Sequence, residues 1–566
     1  MNVLKLATKS ILVGGLLFAT SCGDHLTRLN ENPNGIDPSS ANPNQLLPSV
    51  MTEAAKEYVS LGYGDIGGTM QHTQKDGWFS GHNHYDWSPR DWSNWYGMLR
   101  NNNFLHQRAV TLGYKFHEGV ALTMKAFIYG SIADLWGDAP YSNAVRGNES
   151  NEFLTPTFDS QEAIYNGIIE DLKAASALFA TGDKTGVINN YDVYYAGDPA
   201  KWQKFANTLL LRYYMRISDK KPEIAKAGIE SIYNSGIYIK TSAEDATMSY
   251  IGANSSNSWP ETVAFDQSES NWRRIKPGKA LIDNLVMNND PRLTVWFSPV
   301  HVQWVADPTL TVATDEFIRK DGVIQQGVKF LTDVQFRAQK ALGHKFTRHF
   351  NPNLIPTTLR LDTGRYVGLP AGLLDPSEYN YNPTPGQTVE NQHVSQLADV
   401  YRNSSGGILR ARLASAAEAS FILAEAALKG WAVGSAETHY NTAIKNSLDA
   451  WGVGSQYATF ITQPGVAYKG TLAQIMEQKW IAGWTAATES WFDFRRTGFP
   501  ALKAGPASPQ PVLPVRFIYG DNEQNFNNNN YKNAMNALQE TPYSVLRGKN
   551  SQWSKPWLMQ GTNKPW

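Results

Sequence analysis

Apolar side chains recur at three- and four-residue spacing through two long blocks of this 566-residue chain, and that period restricts it to a mainly α fold. Leu122, Ala126, Tyr129, Ala133 and Trp136 share one face of a helix expected over about 118–136, which Gly137 can stop. A helix is also expected to start near Trp92, with Trp92 and Trp95 facing the core alongside Leu99. Asp159 and Glu162 read as a capping pair for a helix whose apolar face is Ile164, Ile168, Leu172, Ala175 and Phe179. Asp198 followed by Pro199 opens another helix, and Pro222 begins a partner ending near Gly236. Helices resume over 409–428, 436–451 and 471–484, the last with Thr471 and Gln474 as a capping box. Ala424-Glu425-Ala426, Gly430, Tyr440 and Ala443 follow the pattern of a tetratricopeptide helix pair, a unit that must stack on neighbours to bury its apolar face.

The middle of the chain, residues 240–403, breaks this rhythm. Gly, Pro, Asn and Ser punctuate it, and its short apolar runs predict loops, a few strands and short helices. Loops held on a rigid scaffold are where binding residues concentrate.

The amino-terminal end carries Lys5 and Lys9, then an apolar run from Ile11 to Ala19, then small residues up to Cys22, the only cysteine. This layout predicts a signal peptide over 1–21 and acylation at Cys22, although Ala19 stands where such signals more often carry Leu. Several acyl chains hold a protein stably to a membrane. The Asn- and Pro-rich residues 22–48 read as anchor and tether.

Lys plus Arg and Asp plus Glu each total 51, so no basic excess exists for a nucleic-acid partner. No metalloprotease helix, Walker loop, nucleophile elbow or cysteine pair is present, and neither a catalytic residue nor a cofactor is assigned. The Gly62–Gly67 stretch matches a dinucleotide fingerprint by letters alone; it reads as a flexible loop, without the strand and apolar helix such a site needs. His82 and His84 share a face only if extended and have no well-placed third ligand, so they read as solvated or ligand-contacting groups and no metal is assigned. Asp134 and Asp138 are separated by helix-stopping Gly137, which favours helix-end or salt-bridge roles over a glycosidase pair.

Aromatic residues make up 12% of the chain, and their clustering bears on ligand binding. Trp78, Tyr85 and Trp87 lie among Gly, Ser, Asn and Pro, near His82, Asn83 and Arg90. Trp259, Trp272 and Trp304 form a looser group with Trp296, beside Asn271, Arg273 and Arg274. An exposed indole flanked by amide and guanidinium donors suits a sugar: the ring meets C–H faces and the donors meet hydroxyls. For any one of these rings the competing reading is core packing.

A series of short motifs in a fixed order resembles the SusD family of surface glycan-binding lipoproteins. They include Asn102-Asn103-Phe104-Leu105, Asp134-Leu135-Trp136-Gly137-Asp138, Asp198-Pro199-Ala200-Lys201-Trp202, Asn289-Asp290-Pro291-Arg292, and Trp491-Phe492-Asp493-Phe494-Arg495-Arg496. The resemblance covers almost the whole mature chain and is nearest to the subgroup built as one continuous domain. It implies a domain over 49–566, with a helical scaffold at 49–239 and 404–500 and a ligand-binding region at 240–403. It further implies an outer-membrane, surface-exposed protein without a catalytic centre, which passes oligosaccharide to a SusC-like TonB-dependent transporter. Relatives that take peptides leave that ligand open. Trp78, Tyr85, Trp87, Trp259, Trp272 and Trp304 are the candidate ligand contacts. Arg495 and Arg496 are expected to pair with carbonyls or acids of the fold.

Overall fold

The first helix shows how local chemistry sets an element. Asn42 accepts a hydrogen bond from the Asn44 N–H, Pro43 takes the first helical position, and α1 runs Pro43–Tyr63. The computed structural model describes residues 41–266, 268–359, 361–386 and 390–566. The expected signal peptide over 1–21 and Cys22 lie outside the described residues. Residues 43–48, expected in the tether, are helical, because an Asn-Pro step caps and opens a helix as readily as it ends one.

After α1 the Gly62–Gly67 stretch turns at Gly64 into α2 (Asp65–Thr69). It is therefore helical instead of a flexible loop. A β-carbon on Gly62 would lie 2.7 Å from the Thr485 carbonyl oxygen, so glycine there permits close packing. Then come α3 (Ser93–Leu112), α4 (Lys115–Trp136), α5 (Gln161–Ala180), α6 (Pro199–Arg216) and α7 (Pro222–Ser235), each packed on the next along the chain from α3 onward. Trp92, Trp95 and Leu99 are buried as expected. Asp198 caps α6 through the Ala200 and Lys201 N–H groups at 2.9 and 3.3 Å. The cap of α5 is Ser160, which accepts from Ala163 N–H at 3.2 Å, and not Asp159. Asp159 sits in a two-residue strand against Ala139–Pro140, where its carboxylate takes the Tyr141 and Ser142 N–H groups instead.

The middle of the chain holds the short helices α8 (Ser270–Arg274), α9 (Lys279–Met287), α10 (Leu293–Trp296) and α11 (Asp333–Ala341), among loops and small sheets. The largest sheet orders Gln303–Ala306, Phe346–Phe350, Arg319–Lys320 and Val323–Ile324, with the first two strands parallel.

Residues 409–414, expected as the start of a helix, instead form a strand at Arg410–Ala414 that pairs antiparallel with Ala246–Ser249. Leu409, Ala411 and Leu413 are buried on alternate positions, a period of two that outweighs the local helix propensity. Ser415 then caps α12 (Ala416–Leu428), followed by α13 (Ala436–Ala450), α14 (Tyr457–Phe460), α15 (Leu472–Ala482), α16 (Ala487–Thr497), α17 (Asp521–Phe526) and α18 (Asn528–Ala537). Helices α12 and α13 pack together as the tetratricopeptide pattern requires. Thr471 caps α15, but the Gln474 side chain accepts from Lys469 N–H at 2.7 Å, so only half of the capping box forms.

A buried ion network joins the two helical blocks. Arg212 of α6 meets Glu418 of α12 at 2.6 Å, and Arg216 meets Glu489 of α16 at 2.5 Å. Arg495 reaches Asp134 of α4 at 3.1 Å, and Arg496 reaches Glu425 at 2.5 Å. Arg495 also donates to the Asp134 and Val515 carbonyls, the fold-building role expected of it. Burial raises the Asp134 pKa, against the lowering influence of Arg216 and Arg495. Among the described residues no helix is long and apolar enough to cross a membrane.

Candidate functional site

The strand Thr73–Lys75 pairs antiparallel with Ile275–Pro277, and Asp76 N–H donates to the Arg274 carbonyl at 3.1 Å. This pairing brings the loop before α3 against α8, joining the two regions whose aromatics stood out in the sequence. At the junction Trp78 is 58% exposed, with φ of 50°, a left-handed conformation that is uncommon for a bulky residue. The Arg274 guanidinium lies 3.4 Å from the centre of its indole ring, and Arg274 Nη1 donates to the Ser270 carbonyl at 2.8 Å. A β-carbon on Gly77 would stand 2.9 Å from Arg274 Nε, so glycine leaves room for the guanidinium. The result is an indole backed by a buried cation and open to solvent. Exposed Asn271 and half-buried Arg273 belong to the same α8 segment as Arg274.

The other five candidate ligand contacts are core residues, which corrects the exposure expected of Trp87 and gives the competing reading, core packing, for the rest. Tyr85 is buried, with its side chain inside the fold. Trp87 donates its indole N–H to the Gly81 carbonyl at 3.0 Å and packs edge-on against Trp491 and Phe517. Trp259 packs edge-on against Tyr63 and Tyr250. Trp272 lies under the Arg402 guanidinium at 4.5 Å. Trp304 donates to the Asn380 carbonyl at 2.9 Å and stacks on His393 at 4.5 Å. Trp87, Trp259, Trp272 and Trp304 share a reason: each meets a partner from a distant segment, and large rings favour such packing. Trp296 is buried as well.

The polar neighbours sort in the same way. Asn83 is fully buried and bonds both Lys75 N and Lys75 O, so it pins the loop that presents Trp78. His82, expected to be solvated or to touch ligand, is buried within 3.2 Å of Thr73 Oγ1, and burial holds its pKa well below the usual histidine value. Arg90 pairs with Asp65 and lies over the Phe517 ring at 4.4 Å.

A groove of about 620 Å³ was not anticipated. Glu53, Lys56, Glu57 and Ser60 of α1 face Asn94, Gly97 and Asn101 of α3 across it, with Tyr250, Ser255 and Ser258 also lining it. The helical spacing of these polar residues is visible in the sequence, but it has the same pattern as any solvated helix face. Glu53 and Glu57 belong to the same helix, one turn apart, so they do not form a facing carboxylate pair. Burial raises the Glu57 pKa, opposed by Arg90.

A family model named SusD-like and described as starch-binding, associating with outer membrane, matches residues 34–307 and 356–520. The structure is similar to that of a SusD homolog from Bacteroides fragilis, with a TM-score of 0.67 at 19% identity, covering 92% of this chain and 99% of the other. A protein described as chitin-binding gives a TM-score of 0.67 at 21% identity, over 93% of this chain and 100% of that one. A chitin-binding SusD homolog from Flavobacterium johnsoniae gives 0.63 at 20% identity, over 91% and 99%. No curated protein matches the sequence.

Proposed function

This chain belongs to the SusD-like family, and from that premise we propose that it captures oligosaccharide at the Trp78 platform and passes it to a SusC-like TonB-dependent transporter in the outer membrane. The observation that carries the reading is the solvent-open indole of Trp78, held in a left-handed conformation over the Arg274 guanidinium. An indole face suits the C–H side of a pyranose, while polar groups along α8 can meet its hydroxyls. Chitin binding by two structurally similar proteins supports a glycan as the ligand. Acylation at Cys22 would moor the protein to the membrane surface, and its role is to bind without chemistry.

Calorimetry against starch- and chitin-derived oligosaccharides tests the ligand: at least one series binds the purified protein, and silence across the panel overturns the sugar reading. Pull-down from detergent-solubilised outer membranes tests the transporter, which co-purifies with the protein if the reading holds. Replacing Cys22 with Ser should release the protein from the membrane fraction. A peptide ligand is the second reading, favoured by the charged lining of the 620 Å³ groove, where Glu53, Glu57, Lys56 and Arg100 could pair with peptide charges. Peptides of mixed charge therefore belong in the same panel.

A further inference from the structure

Apart from the Trp78 platform, the loop-rich region buries three metal-ligating side chains from separate segments. His301, Asp333 at the start of α11, and Glu390 are 4%, 8% and 8% exposed. His301 Nδ1 lies 3.4 Å from Glu390 Oε1, and His301 Nε2 lies 3.9 Å from Asp333 Oδ1. One ligand atom from each residue falls within 4.8 Å of the other two.

Two atoms of the cluster, one on His301 and one on Asp333, lack a hydrogen-bond partner among the described residues. His301 Nδ1 and Asp333 Oδ1 make no hydrogen bond, although both are fully buried. Leaving such atoms unsatisfied costs free energy, and a cation held between the imidazole and the carboxylates would satisfy them. The surrounding contacts hold the donors in place. Arg402 Nη1 and Arg337 Nε donate to the other carboxylate oxygen, Asp333 Oδ2, at 2.8 and 2.9 Å, which leaves Oδ1 turned to the imidazole. The His301 ring stacks on Phe336 with centroids 3.8 Å apart, which fixes its plane. The Gln396 amide donates to the Glu390 carboxylate.

Beyond the two guanidinium groups on Asp333 Oδ2, Lys276 is a third cation at the centre. Its buried ammonium stands 3.4 Å from Asp76 Oδ2 and 3.7 Å from Glu390 Oε1 and makes no hydrogen bond. It balances the acids without satisfying His301 or Asp333 Oδ1.

We propose that His301, Asp333 and Glu390 form a binding site for a divalent first-row transition metal, with zinc as the reference ion. An imidazole with two carboxylates suits zinc, manganese or cobalt, whereas calcium prefers an all-oxygen shell. Zinc bonds of about 2.0–2.2 Å imply ligand edges of roughly 3.4 Å in a tetrahedral site, so the cluster needs to close only modestly around the ion. Lys276 would turn toward Asp76 as the metal enters. Bound metal would tie together the segments carrying His301, α11 and Glu390. This inference stands independently of the sugar reading.

The test uses the full chain, stripped with a chelator and then dialysed against micromolar zinc chloride, with metal counted by mass spectrometry and the melting temperature read beside it. The expected result is one retained equivalent of zinc and a higher melting temperature, both lost in His301→Gln and Glu390→Gln. Replacing half-buried His344, which pairs with Asp321, should leave the count unchanged. No retained zinc in the wild-type protein overturns the proposal and assigns the centre to water. An undiminished count in whichever variant folds overturns it too, since the metal would then lie elsewhere. Should one variant fail to fold, the other decides.

Discussion

Removing the Trp78 ring should weaken glycan binding by a predictable amount. The side chain is 58% exposed, and a tryptophan presents about 250 Å² of burial-capable surface, which leaves roughly 145 Å² open. A pyranose stacked on the outer face covers about half of that, and at about 25 cal/mol per Å² the contact contributes about 2 kcal/mol. Trp78→Ala should therefore raise Kd roughly 20- to 30-fold for whichever oligosaccharide the wild-type protein binds, with tenfold corresponding to about 1.4 kcal/mol. Isothermal calorimetry reads the change, and a thermal melt should show little loss of stability, because the ring is mostly in solvent. Trp87→Phe provides the contrast: that ring is buried against Trp491 and Phe517, so its replacement should lower stability and leave Kd unchanged. An unaltered Kd in Trp78→Ala, with the wild-type protein binding sugar, would refute the platform as the site of capture.

Gly77→Ala should also weaken sugar binding, because the added methyl would displace Arg274 from beneath the indole; calorimetry checks it. Glu489→Ala leaves Arg212 and Arg216 short of a buried partner and should cost about 3–5 kcal/mol in chemical denaturation. Asp245 has its pKa pushed up to about 7 by burial, which outweighs the Ala416 N–H bond and Arg412. The unfolded carboxyl ionises near pH 4, so the folded state holds the extra proton between about pH 4 and 7, and stability falls as pH rises through that window, by an amount on the order of 4 kcal/mol. Asp245→Asn keeps an acceptor for Ala416 N–H and should flatten this slope in denaturation curves taken across the range. An equal slope in the variant would exclude Asp245 as its source.

What could be read from the sequence was local. Asp198-Pro199 opens α6 and Gly236 ends α7 as expected, because caps act within one helical turn. The SusD-like motifs were legible as short local strings, and most of them fall within the residues 34–307 and 356–520 that the family model matches. The alternation of Leu409, Ala411 and Leu413 was present in the letters, but Ala-rich sequence just beyond it favoured helix, and only the partner strand Ala246–Ser249 decides between them.

The site divides differently. That aromatic residues cluster in the loop before α3 and in the middle region was legible in the sequence, whereas which ring stands open was not. Trp78 and Trp87 lie among similar polar and small residues, yet one faces solvent and the other meets Trp491 and Phe517, more than 400 positions away. The backing of Trp78 by Arg274 likewise needs the strand pairing of 73–75 with 275–277, and the His301, Asp333 and Glu390 cluster has no spacing that a motif could record. Helix period and caps depend on neighbours within four residues, so the chain by itself determined its mainly helical character. Exposure, ion pairing and ligand geometry depend on which distant segments meet, and only tertiary packing decides that.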